Sequence, residues 1–167
     1  MSASNISNTS NSTPRATGYA FRREEGETFA FLGTQMTLKA SGAGSGFGLI
    51  EQVAPPGFAA PPHIHHAEDE AFYVLEGEAT FTCGDQDWAA TAGSFVFLPR
   101  GVAHHFAVGG ERPARLLQLN LPAGLERFFV EAGAPIDAAE AGPPDFARLA
   151  ALATAYRVEL LGPPPGH

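Results

Sequence analysis

Residues 57–77 read Gly-Phe-Ala-Ala-Pro-Pro-His-Ile-His-His-Ala-Glu-Asp-Glu-Ala-Phe-Tyr-Val-Leu-Glu-Gly. His63 and His65 lie two apart, and on an extended strand such residues share a face while Ile64 points away. The gap before Glu70 suits a bend that returns the next strand alongside, so that a carboxylate faces the two rings. Phe72, Tyr73, Val74 and Leu75 are strand formers, and the run stops at Gly77. Two imidazoles and a carboxylate converging on one interior form a donor set for a divalent metal.

A further donor stands in residues 93–108, GSFVFLPRGVAHHFAV. Pro99-Arg100-Gly101 is a turn between two apolar runs, because Pro fixes its own φ and Gly accepts φ values that other residues avoid. His104 follows it. Together the two stretches resemble the cupin family. Its first motif, G-x5-H-x-H-x4-E-x6-G, is met by Gly57, His63, His65, Glu70 and Gly77. Its second, G-x5-P-x-G-x2-H-x3-N, is met by Gly93, Pro99, Gly101 and His104, with Val108 where the family has Asn. The resemblance implies a jelly-roll β-barrel and a metal held by His63, His65, Glu70 and His104.

Composition narrows the field. The 167 residues suit one domain with a core of its own. A net charge of -8 without any run of Lys or Arg argues against nucleic acid and anionic membranes as partners. The single cysteine, Cys83, rules out an intramolecular disulfide and is expected to be packed. No apolar stretch approaches the roughly 20 residues that span a bilayer, and the N-terminus lacks a secretion signal's apolar core, so a cytoplasmic location is expected.

Residues 1–17 are rich in Ser, Asn and Thr and are expected to form a disordered tail. From Tyr19 onward, about ten short runs separated by turn signals predict strands, among them Tyr19–Phe21, Thr28–Leu32, Gln35–Lys39 and Arg115–Leu121. The glycines of 41–48 lack the Lys and Ser/Thr of a phosphate loop and predict a flexible connection. The pattern predicts an all-β sandwich or barrel over 18–122. Beyond it, Leu125, Phe128, Phe129 and Ala132 recur at helical spacing, and Asp145 is placed to cap a second helix reaching about Tyr156. These two C-terminal helices, in 123–167, are expected to cover the barrel, with a short strand at Arg157–Leu161.

Parity assigns the remaining histidines: His66 and His105 alternate away from the ligands and are expected at the surface, with His66 the alternative ligand should one swap in, and His167 carries no signal. Parity also proposes a pocket wall of Phe72, Val74, Phe106 and Val108, giving an apolar cavity with one charged spot. Three imidazoles and a carboxylate suit Fe, Mn, Ni, Co, Cu or Zn. A position left open on the metal would serve a dioxygenase-like reaction on a small hydroxylated aromatic, with Glu70 as base. The segment Leu125-Glu-Arg-Phe-Phe resembles single-barrel flavonol dioxygenases, which implies a flavonol- or catechol-like substrate. A non-catalytic metal or small-molecule binding module and a metal-dependent isomerase are the alternatives. Three histidine ligands predict that metal loading falls between about pH 7 and 5 more steeply than one ionisation allows. Unpaired strand edges before Gly57 predict a homodimer.

Overall fold

The computed structural model describes residues 18–138 and 145–165, so the tail 1–17 and His167 lie outside it. The first strands are β1 (Glu27–Phe31), β2 (Thr34–Ala40) and, after a short helix α1 (Gly42–Ser45), β3 (Gly48–Ala54). Then come β4 (His63–His65), β5 (Asp69–Glu76), β6 (Glu78–Cys83), β7 (Gln86–Thr91), β8 (Phe95–Leu98), β9 (His104–Ala107) and β10 (Ala114–Leu121). Helices α2 (Leu125–Ala132) and α3 (Phe146–Ala155) precede the last strand, β11 (Val158–Leu160). Tyr19–Phe21, expected as a strand, is irregular, and the glycine run carries α1 instead of a plain loop.

The strands form two sheets, one ordered β1-β2-β3-β10-β5-β8 and the other β11-β4-β9-β6-β7. The sheets are not closed into a barrel. This corrects the jelly-roll barrel expected from the motifs, and with α2 and α3 the fold is a mixed α/β one in place of the all-β class. Strand parity and turn spacing say which residues share a face. They carry no information on whether edge strands find each other, and here β1, β8, β11 and β7 remain edges.

One core lies between the two sheets. Phe72 on β5 meets Phe81 on β6 and Phe106 on β9, with ring centroids 5.1 and 5.4 Å apart, so the opposed faces are locked by aromatic contact. Each such buried ring stabilises the fold by about 1.5–3 kcal/mol relative to leaving it exposed. A second core joins Phe29, Met36 and Ile50 of β1–β3 to Leu125, Phe128 and Phe129 of α2, Leu149 of α3 and Val158 of β11. Helix α2 forms because Leu125, Phe128 and Phe129 fall on one stripe that this sheet end can bury. Helix α3 is capped by Asp145, whose Oδ1 accepts the Arg148 N–H at 3.0 Å. The chain after α3 then returns as β11 and pairs with β4, the strand that carries His63 and His65.

Candidate metal centre

His63, His65, Glu70 and His104 each direct one donor atom to a common point, and these atoms lie within 4.8 Å of one another. Three strands supply them, from opposite sheets. His63 and His65 are on β4 and His104 is on β9, where His63 and His104 are register partners. Glu70 is on β5 of the other sheet, paired with Asn120 and Leu98. The bend between His65 and Glu70 therefore crosses the core and does not return a strand alongside. Its ends are fixed by the Pro99–Gly101 turn: Gly101 N–H donates to the His65 carbonyl at 2.8 Å. Arg100 also donates to both carboxylate oxygens of Asp69, from Nε to Oδ1 at 3.0 Å and from Nη2 to Oδ2 at 2.7 Å.

Backbone carbonyls set the imidazole tautomers. His63 Nδ1 donates to the Pro61 carbonyl at 2.7 Å and His104 Nδ1 donates to the Val102 carbonyl at 2.9 Å. In the neutral rings, both Nε2 atoms then present lone pairs inward. His63 Nε2 stands 3.1 Å from His65 Nε2. His104 Nε2 is buried, has no hydrogen-bond partner among the described residues and faces Glu70 Oε2 at 3.4 Å. Such a concentration of buried acceptors is costly unless a cation lies among them. The donor set fits a divalent transition metal, and these residues can coordinate one.

Electrostatics agree with the geometry. Burial, reinforced by the neighbouring imidazoles, holds the His63 ring down to about 3. Burial likewise holds His65 down to about 4, against the pull of Glu70. At His104 burial is outweighed by Glu70, and the ring sits above the usual histidine value. Burial also works against the Glu70 carboxylate, but His104, His65 and His63 outweigh it and leave the group below the usual range. Within the cluster the Glu70 carboxylate thus favours a proton on His104, while burial disfavours one on His63 and His65.

A cavity of about 60 Å³ adjoins the cluster. Phe72 and Phe106 of the expected wall line it, together with Phe58, Phe128 and Phe129. Val74 and Val108 are buried in the core between the sheets and are not among the lining residues. His66 faces outward and meets Glu159 Oε2 at 2.9 Å. His105, expected at the surface, is half-buried and lines the cavity. Two polar residues escaped the sequence reading, Gln118 and Gln52. Gln118 Nε2 donates to Glu70 Oε1 at 2.6 Å and lies 3.3 Å from Asn120 Oδ1. The signal for it was available: Leu116, Gln118 and Asn120 share the inward parity of β10, and polar residues on a buried face call for a purpose.

Residues 50–120 match the family model of the cupin domain. KdgF from Halomonas sp. shares the fold at 20% identity and TM-score 0.59, over 66% of this chain and 99% of that one. The polyketide cyclase RemF from Streptomyces resistomycificus does so at 23% identity and TM-score 0.56, over 63% of this chain and 80% of that one. At these identities the likeness is one of fold. An uncharacterized protein of Streptomyces coelicolor is 44% identical over 41 residues, which cover 25% of this chain and 39% of that relative. The chain thus spans well under two thirds of that relative's length. Among the described residues no helix is long and apolar enough to cross a membrane.

Proposed function

We infer from its place in the cupin superfamily, to which this chain belongs, that the protein is a metal-dependent enzyme acting on a small hydroxylated compound. Its proposed reaction is dioxygenase-like, on a hydroxylated aromatic. The observation that carries this reading is a buried three-imidazole, one-carboxylate cluster that opens on an aromatic-lined cavity.

His63, His65, Glu70 and His104 would hold the ion. When bound, it would supply Lewis acidity and, for a redox-active metal, electron-transfer chemistry with O₂. The chain's own groups do the rest. Phe58, Phe72 and Phe106 exclude water and offer ring faces to an apolar substrate. Gln118 fixes Glu70 Oε1, which leaves Oε2 to take up a hydroxyl proton. A cavity of about 60 Å³ favours a monocyclic, catechol-sized compound over a flavonol.

The test is elemental analysis of the purified protein, then oxygen-electrode assays on catechols and flavonols after loading with Fe, Mn, Co, Ni or Cu. Uptake that His104→Ala abolishes is expected. No uptake with any of these metals would leave the non-catalytic binding module.

A homodimer is part of the same proposal. Tyr73, Phe95 and Phe97 are exposed, with Tyr73 and Phe95 register partners across β5 and β8. This apolar group lies at the β8 edge, which supports a contact there; the strands before Gly57 are the other candidate edge.

A further inference from the structure

Beyond the metal cluster, the cavity contains a polar side chain with nothing to bond. Gln52 lies on β3, is 2% exposed and lines the cavity, yet its Oε1 has no hydrogen-bond partner among the described residues. The register partners of Gln52 on either side are Met36 on β2 and Leu116 on β10, both apolar and buried. Gln118, the nearest inward amide on the next strand, already directs its nitrogen toward Glu70 and Asn120. A buried amide without a partner lowers stability, and a methionine or leucine would fill this place without that cost. Its presence where a ligand can enter indicates that the ligand completes it.

The register gives the shape of that ligand. Leu116 is the partner of both Gln52 and Val74, so Gln52 is level with Val74 and lies four residues along the sheet from Glu70. It is also two strands across. With about 3.4 Å per residue and about 4.8 Å between strands, the two backbone positions are separated by roughly 17 Å, part of which the inward side chains span. The lining around these polar groups includes Phe72, Leu98 and Phe106. We propose that Gln52 is the specificity-determining residue of this site, hydrogen-bonding the far end of an elongated substrate that is polar at both ends and apolar between. The near end would present oxygen to a metal ion held by His63, His65, Glu70 and His104. This inference rests on the metal-site reading above, and it narrows the substrate class to compounds such as ω-hydroxy acids or para-hydroxylated aromatic acids.

The test uses the full chain loaded with cobalt(II) and follows its visible absorption during titration with two matched pairs. These are 5-hydroxypentanoate against hexanoate and 4-hydroxybenzoate against 4-methylbenzoate. In each pair a hydroxyl replaces a methyl at the far end. The wild-type chain is expected to prefer the hydroxyl member of at least one pair by about tenfold or more, since a site built to bond a hydroxyl rejects the analogue lacking it. Gln52→Met should reduce that preference to less than about threefold while leaving cobalt affinity unchanged, and the metal-free variant should melt at or above the wild-type temperature. Gln52→Leu provides a second variant of different shape. An equal preference in wild type and variants, no preference in wild type, or a clear fall in melting temperature in both variants would overturn the assignment. Cobalt failing to bind the wild-type chain would instead sink the metal-site reading, and this inference with it.

Discussion

Gln118 Nε2 donates to Glu70 Oε1 at 2.6 Å, and both side chains are buried. This bond fixes the carboxylate from the sheet that carries it, while the three imidazoles approach from the opposite sheet. Partners of this kind orient a ligand and commonly account for 10–100-fold in metal affinity. Gln118→Leu is therefore expected to weaken metal binding by about that factor without abolishing it. Competition with a chromophoric chelator measures it, and an unchanged affinity would show that Glu70 needs no such support.

Much of the site was legible in the sequence because its logic is local. The separation of His63 from His65, and the bond-fixing Pro99–Gly101 turn before His104, are properties of short segments whose side-chain direction follows from strand parity. What was not legible depends on which strands meet. That the two sheets stay open, the position of Glu70 across the core from the histidines, and the pairing of β11 with β4 are set by long-range contacts. Val74 and Val108 show the same limit: parity puts them inside, but only the sheet geometry separates the core from the cavity wall.

Glu126 illustrates a second long-range dependence, since it ties α2 to the segment before β3. Its Oε1 accepts the Gly42 N–H at 2.9 Å and its Oε2 accepts the Gly124 N–H at 2.7 Å. A Cβ at Gly48 would overlap Oε2 and stand 3.0 Å from Cδ of the same carboxyl. Because two backbone donors hold Glu126, it cannot move aside cheaply. Gly48→Ala is expected to destabilise the protein by about 1–3 kcal/mol. The cost should be smaller when introduced into Glu126→Ala, as chemical denaturation of the four-member cycle would show. Strict additivity would mean that the overlap is relieved elsewhere.

The exposed aromatic group at the β8 edge predicts an association that charge can break. Phe95 and Phe97 are 63% and 51% exposed, a large apolar surface for an edge strand. The double substitution Phe95→Asp with Phe97→Asp is expected to convert a dimer to a monomer while leaving metal content unchanged. Light scattering at matched concentrations decides it. A wild-type chain of 17.5 kDa in solution at high concentration would remove the dimer altogether.

The pH dependence of metal loading separates a count of histidines from their surroundings. Counting three free imidazoles near pKa 6.5 predicts a loss steeper than one ionisation between about pH 7 and 5. Burial removes most of that competition. With His63 at about 3 and His65 at about 4, both rings are already neutral at pH 5 and release no proton to a metal. Only His104, raised by Glu70, still carries one. Metal affinity should therefore fall about tenfold per unit of acidification below the His104 pKa, a slope of one, and level off above it. The stability of the metal-free chain follows by linkage. For His63 and His65 the folded pKa lies below the unfolded one, so their contribution is present above about 6.5 and is lost as pH falls through the folded values. His104 has the opposite sign, its contribution being complete below about 6.5 and lost as pH rises through its raised value. Elemental analysis after equilibration at limiting metal gives the slope directly. A slope of two or more between pH 5 and 7 would show that His63 or His65 is solvated and protonated in the metal-free protein.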